Sequence, residues 1–218
     1  MTTLVTSAAY AASKTLAPLG STYKRSQLIE VIAALLGYQT YAALGIEESN
    51  ARLPHHLGDA EILVLDKPAA AKRAAVIGIT NIPAVLQACI DAIRSSVAPV
   101  ISVFIGVDDF YDSYARDRMV QVAMSSDEVS GVMAYSNAIF DDYPEFQDET
   151  PATNNLWQAR AVWTIEADGN WVGSYDPDAD RMFNGDTLNC SARLSFDKAG
   201  RSGLRESNSE ADAHMDDC

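Results

Sequence analysis

Hydrophobic positions along this chain change their period, and each change marks a predicted element. In residues 26–45, Leu28, Ile29, Val31, Ile32, Leu35 and Leu36 recur at steps of three and four, which predicts a helix with a broad apolar face. Gly37 follows where a left-handed C-terminal residue is needed, and Tyr38 is placed to fold back onto the last turn. Thr40 is the predicted N-cap of a short second helix, residues 41–44, closed by Gly45. The inner side of this hairpin carries little polar surface, so it needs a packing partner. The Ala-rich segment over roughly residues 3–16 supplies one as a further helix.

Residues 50–58, with Pro54 and the pair His55-His56, read as a linker. Beyond them Ile62–Leu65 is a short apolar strand, and Pro68 suits the first turn of the helix that follows. Residues 83–97 predict a helix with Val85, Leu86, Cys89, Ile90 and Ile93 on one side. Residues 100–105 carry the strongest pattern of a buried strand. One further helix is expected from Asp108-Asp109, whose carboxylates suit a positive helix N-terminus, and another from Ser125, which has capping-box spacing to Glu128.

From Asn154 the period becomes two. Ala161, Trp163 and Ile165 alternate with Val162, Thr164 and Glu166, and Asp168-Gly169 predicts a tight turn into residues 171–175. In residues 188–196, Leu188, Cys190, Ala192, Leu194 and Phe196 share one face, and Asn189, Ser191, Arg193 and Ser195 the other. One packed and one wet face indicate an antiparallel sheet covered on one side by helices. The last residues are polar and acidic with almost no apolar anchor, which predicts disorder. The expected fold class is therefore α+β. It places a small helical module (1–49) and a linker (50–58) before an acidic domain (59–205) of helices packed on a mainly antiparallel sheet, with a disordered tail (206–218).

Charge sharpens that division. Residues 1–57 carry four Lys/Arg and three Asp/Glu, whereas residues 58–218 carry 12 and 27, within a chain of net charge −14. Such a body repels phosphate, so direct nucleic-acid binding is not expected. No apolar run approaches the ~20 residues of a membrane span, and the opening lacks a basic segment followed by a continuous apolar one. Three unclustered cysteines do not form a disulfide framework. A cytoplasmic protein without membrane contact is expected. Cys89 and Cys190 fall on apolar faces and read as core residues, and Cys218 as an exposed thiol.

Residues that carry chemistry are few. Asp108, Asp109 and Asp112 sit at a strand-to-helix junction at steps that let carboxylates face one way, and could hold a divalent cation. Asp at a helix start has an ordinary capping role as well. Asp176, Asp178 and Asp180 begin like a calcium loop, yet Arg181 replaces the required glycine and Thr187 stands where the closing Glu belongs. A polar loop is the better reading there. Adjacent His55 and His56 point apart in an extended chain and lack nearby partner ligands. No phosphate loop, dinucleotide fingerprint or nucleophile elbow is present, and no cofactor is expected.

The run Ser26-Gln27-Leu28 … Glu30-Val31 … Leu36-Gly37-Tyr38 … Tyr41-Ala42-Ala43-Leu44 resembles the small helical module termed glyoxalase-related in many bacterial proteins. It departs from that module in having Arg25 where His is frequent and Tyr41 where Trp is usual. The resemblance covers less than a quarter of the chain. It implies a compact helical unit attached to varied partner domains, and carries over no catalytic glyoxalase site. Function is accordingly expected from the acidic body, as a non-enzymatic interaction or regulatory protein that engages a basic protein surface. Asp141, Asp142, Glu145, Asp148 and Glu149, interleaved with Tyr143 and Phe146, offer both a field and aromatic anchors. The bland reading of the same acidity is solubility. The alternative function is a carboxylate-based, cation-dependent hydrolase or lyase built on Asp108, Asp109 and Asp112.

Overall fold

The computed structural model describes residues 2–19, 23–136, 138–174 and 187–215. The chain has an α+β fold divided into two compact units, formed by discontinuous stretches. Unit 1 takes residues 1–107, 155–162 and 197–205, and unit 2 takes residues 108–154, 163–196 and 206–218. Among the described residues, no helix is long and apolar enough to cross a membrane.

In unit 1, helix α1 (Thr2–Leu16) turns Val5, Ala8, Ala9, Ala12 and Leu16 inward against α2 (Arg25–Leu35) and α5 (Ile82–Ser96). Small alanines let these axes approach closely, and the predicted face of α2 fills the space with Leu28, Val31, Ile32 and Leu35. Gly37 adopts φ +82° at the end of α2, as its position predicts. Helix α3 (Tyr41–Glu48) starts at Thr40, whose Oγ1 accepts from the Ala43 amide at 3.1 Å. It passes through Gly45 instead of stopping there, since Gly45 has no left-handed backbone and Glu47 is held by later contacts.

Strand β1 (Ile62–Leu65) is fully buried and pairs in parallel with β2 (Ser102–Ile105), from Ile62 opposite Ser102 to Leu65 opposite Ile105. A parallel pair needs a crossover, supplied here by α4 (Lys67–Val76) and α5. Asp66 and Asn81 cap those two helices, each followed by a proline in the first turn. The buried strand expected at residues 100–105 is instead an edge. Among the described residues only β1 flanks β2, and the β2 side chains stay exposed or half-buried. The other side of β1 is antiparallel to the start of β6 (Gly203–Met215).

The expected linker does not separate the units. Residues 50–58 lie within unit 1, where Leu57 is buried and its amide donates to Glu48 Oε1 at 2.9 Å. The charge step near residue 57 was real, but the chain returns to unit 1 twice after it.

Unit 2 begins with the end of α6 (Gly106–Phe110), a π-helical turn at Tyr111–Ala115, α7 (Arg116–Ser125) and α8 (Asp127–Met133). The cap of α8 is Ser126, one residue beyond the expected Ser125; its Oγ accepts from the Val129 amide and donates to the Ala211 carbonyl at 2.8 Å. Its strands run in the order β6, β5 (Thr187–Ala199), β4 (Val162–Val172), β3 (Glu145–Phe146). The turn expected at Asp168-Gly169 is absent, and β4 continues straight through it. Phe146 lies opposite Gly169 in the antiparallel register, and a Cβ on Gly169 would sit 2.5 Å from the Glu145 carbonyl oxygen. The glycine serves a close approach of β3 rather than a reversal.

The alternating face of β5 is buried as predicted, from Leu188 to Phe196. Rings of Phe110, Trp163 and Phe196 meet with centroids 5.6–5.9 Å apart. The disorder expected from residue 206 is corrected: residues 206–215 belong to β6. Ladder hydrogen bonds and ion pairs hold this polar strand, with Glu206 bound by Arg118 and Tyr114, and Glu210 by Arg193. A composition rule for disorder does not register such pairing.

Burial pushes the Cys190 thiol up to about 11 and Cys89 to about 12, so neither is a ready thiolate. Both should react with a thiol reagent in native protein only on the timescale of unfolding. Stoichiometric labelling of Cys190 within seconds, located by peptide mapping, would contradict the assigned core face.

Candidate functional site

Unit 2 concentrates the negative charge. Its sequence holds 22 Asp/Glu and four Lys/Arg, a net of −18, whereas unit 1 holds eight and twelve, a net of +4. The cations of unit 2 among the described residues are already engaged. Arg116 pairs with Asp148, Arg118 with Glu206 at 2.8 Å, and Arg193 with both Glu166 at 2.7 Å and Glu210 at 3.2 Å. Four Lys/Arg thus leave the 22 Asp/Glu of unit 2 largely unbalanced within the unit.

Part of that surplus surrounds a cleft of about 680 Å³ whose walls include Glu145, Asp148, Glu166, Asp168, Asn189 and His214. The β3–β4 register builds it, setting Glu145 opposite Asn170 beside the bare backbone of Gly169. Arg116 and Arg193 neutralise Asp148 and Glu166. Among the described residues no cation forms an ion pair with Glu145 or Asp168. A concave, acidic and partly unneutralised surface of this kind suits an inserted Lys or Arg side chain.

The predicted partner-binding residues fall on and near this cleft with unequal roles. Asp141, Asp142, Glu145, Asp148 and Glu149 are exposed, and Tyr143 is 68% exposed. Phe146 is not an available anchor: at 6% exposure it is part of the core. Alternation places Phe146 inward wherever Glu145 points out. The segment is fixed from behind, since Trp171 Nε1 donates to the Asp142 carbonyl at 2.7 Å and Tyr111 Oη to the Gln147 carbonyl at 2.7 Å.

Other predicted sites do not gather. Asp108 and Asp112 are exposed, and Asp109 is half-buried and accepts from Ser113 Oγ at 3.2 Å. Among the described residues no three His, Cys, Asp or Glu side chains form a group able to hold a metal ion. Asp176, Asp178, Asp180 and Cys218 lie outside the described residues. His55 sits 2.9 Å from an Arg205 nitrogen, whereas His56 Nε2 lies 3.2 Å from the Asn50 carbonyl, so the pair engages different partners.

Sequence reasoning passed over a second constellation, within unit 1. Lys198, near the end of β5, is 4% exposed, and its Nζ donates to the Arg201 carbonyl at 2.7 Å. Burial pushes its ammonium down to about 7, with Glu47 only partly opposing. Glu47 is already committed, accepting from Tyr38 Oη at 2.9 Å and Arg201 Nε at 3.3 Å, with Arg160 at 3.9 Å. Burial and Glu47 together hold the Tyr38 hydroxyl well above its ordinary range, so it remains a donor. Lys198, Glu47, Arg160 and Arg201 edge a cavity of about 770 Å³ whose apolar wall includes Ile46, Leu53, Pro54 and Trp157. Trp157 is fixed by its Nε1 donating to the Val64 carbonyl at 2.9 Å and by contact with Gly37, where a Cβ would meet the indole at 2.9 Å.

The chain matches no family model, no curated protein and no solved structure. The residues that carry the helical-module resemblance have local roles in unit 1. Gln27 closes the first turn of α2 and donates to the Ile77 carbonyl at 3.0 Å, and Glu30 binds Arg73 at 2.7 Å. Gly37 admits Trp157, and Tyr38 anchors Glu47.

Proposed function

We propose that this protein works by association, in the cytoplasm and without a catalytic step of its own, and that unit 2 engages a basic protein surface. The observation that supports this reading is the acidic cleft. Among the described residues Glu145 and Asp168 face it without an ion-pair partner, inside a unit of net charge −18 whose described cations are all paired internally. Exposed Tyr143 adds an amphipathic ring beside the field. The same field repels phosphate, which favours a protein partner over direct nucleic-acid contact. The helical unit 1, whose residues 26–44 resemble a glyoxalase-related module, then serves as a scaffold.

The test starts from a full-chain pull-down in the native host, followed by binding kinetics with the captured basic partner. Asp141→Asn, Asp142→Asn, Glu145→Gln, Glu149→Gln and Asp168→Asn are combined, with Asp148 kept because it neutralises Arg116. Association should slow about tenfold or more, and far more than dissociation speeds up, because charge steering acts on the encounter. Added salt should reproduce the slowing, since exposed charges are screened over ~8 Å at physiological ionic strength. An association rate indifferent to both salt and the five substitutions would leave the acidity as a solubility device.

A further inference from the structure

We propose that the 770 Å³ cavity of unit 1 binds a small organic carboxylate, whose anionic group docks on the Lys198 ammonium while its apolar body lies against Trp157. The argument is independent of the reading of unit 2. An ammonium carries three donors, and Lys198 uses one on the Arg201 carbonyl. A buried charge is costly unless it is paired, and Glu47, the one carboxylate lining the cavity among the described residues, is consumed by Tyr38, Arg201 and Arg160. Three cationic side chains thus face the cavity against a single Glu47. The missing partner is an anion.

Size and lining narrow its class. Cavities of ~300–1,000 Å³ with apolar walls and few polar groups suit small molecules. Ile46, Leu53, Pro54 and Trp157 provide an apolar wall of that kind. A phosphate dianion fits less well. Phosphate sites commonly rest on helix N-termini, whereas α3 brings its C-terminal residues Ile46 and Glu47 to this cavity, and that end of a helix repels a dianion more strongly than the single charge of a carboxylate. One carboxylate on one ammonium matches the donors left over.

Benzoate, uncharged benzamide and inorganic phosphate are the probes, titrated calorimetrically into the full chain. Benzoate should bind at least tenfold more tightly than benzamide or phosphate. Its affinity should fall as pH rises through about 7, where Lys198 loses its proton. The other ionisable groups facing the cavity are Glu47, His55, Arg160 and Arg201, with Tyr38 behind Glu47. Lys198→Met should abolish both the preference for benzoate and its pH dependence, whereas His55→Asn should keep both. Arg160→Gln, at an exposed position, should weaken benzoate far less than Lys198→Met does, and should keep its preference over benzamide and its pH dependence. Equal binding of benzoate and benzamide, equal binding of benzoate and phosphate, no binding of benzoate, or undiminished benzoate binding by Lys198→Met would each overturn the assignment.

Discussion

Trp163→Ala should destabilise unit 2 by about 3–5 kcal/mol, the range for deleting a large buried aromatic. Trp163 is 2% exposed and in ring contact with Phe110 and Phe196, so its removal opens a cavity among three elements of the same unit. The loss goes beyond packing. Its Nε1 donates to the Asn154 carbonyl at 2.8 Å, and that acceptor would lose the shorter of its two hydrogen bonds. Trp163→Phe keeps a ring in place and gives up the hydrogen bond, and should cost about half as much. Urea unfolding monitored by exposure of the Cys190 thiol reports on unit 2 directly, since Cys190 lies on the neighbouring buried face of β5. A loss of only a few tenths of a kcal/mol for Trp163→Ala would mean that this aromatic cluster does not hold the unit together.

That cluster was legible because alternation in β4 and β5 is carried by large residues on one side and polar ones on the other. The α2 face was legible for the same reason at period 3.6, and Gly37 because a left-handed residue is required where the apolar run ends. What escaped the sequence was set by partners distant along the chain. Gly169 has the local signature of a turn, and only the approach of residues 145–146 explains it as a strand residue. Strand β2 is as apolar as a central strand, yet its position at an edge is decided by which strand takes the far side of β1. Residues 206–215 bury little apolar side chain beyond Ala211 and are held through Arg118 and Arg193, which no periodicity announces. The division into units was obscured because residues 155–162 and 197–205 return to the N-terminal unit.

The unit 1 cavity did leave one readable sign. The inward series Leu188, Cys190, Ala192, Leu194, Phe196 continues in phase to position 198, which is lysine. A strand that keeps its period places that ammonium on the buried side, and a buried lysine is a reason to look for its partner. Glu47, by contrast, lies on a helix with no pattern to distinguish it from Glu48. Its role follows only from contact with Tyr38 and Arg201.

Lys198→Met should make the protein more stable at pH 7, by about 2–4 kcal/mol, and the advantage should shrink as pH rises. In the unfolded chain the lysine keeps its ordinary value of 10.5, while in the folded state burial lowers it to about 7. Between those values the unfolded state binds the extra proton, so wild-type stability gains with rising pH. Below about 7 both states are protonated and the full cost of the buried charge is present; above 10.5 both are neutral and it is gone. From pH 7 to pH 9 the gain amounts to about 2 kcal/mol. Methionine keeps the length of the stem and its packing, and removes the charge along with one hydrogen bond to the Arg201 carbonyl, which offsets part of the advantage. Unfolding free energies of wild type and Lys198→Met are measured across this range and subtracted, which cancels the titration of Tyr38, Cys89 and Cys190. A difference that stays flat from pH 7 to pH 9 would mean that Lys198 keeps an ordinary ammonium and needs no anion. A difference that closes as pH rises, and closes less when benzoate is present, would tie the stability of unit 1 to the occupancy of its cavity, because bound anion holds the proton on Lys198 to higher pH.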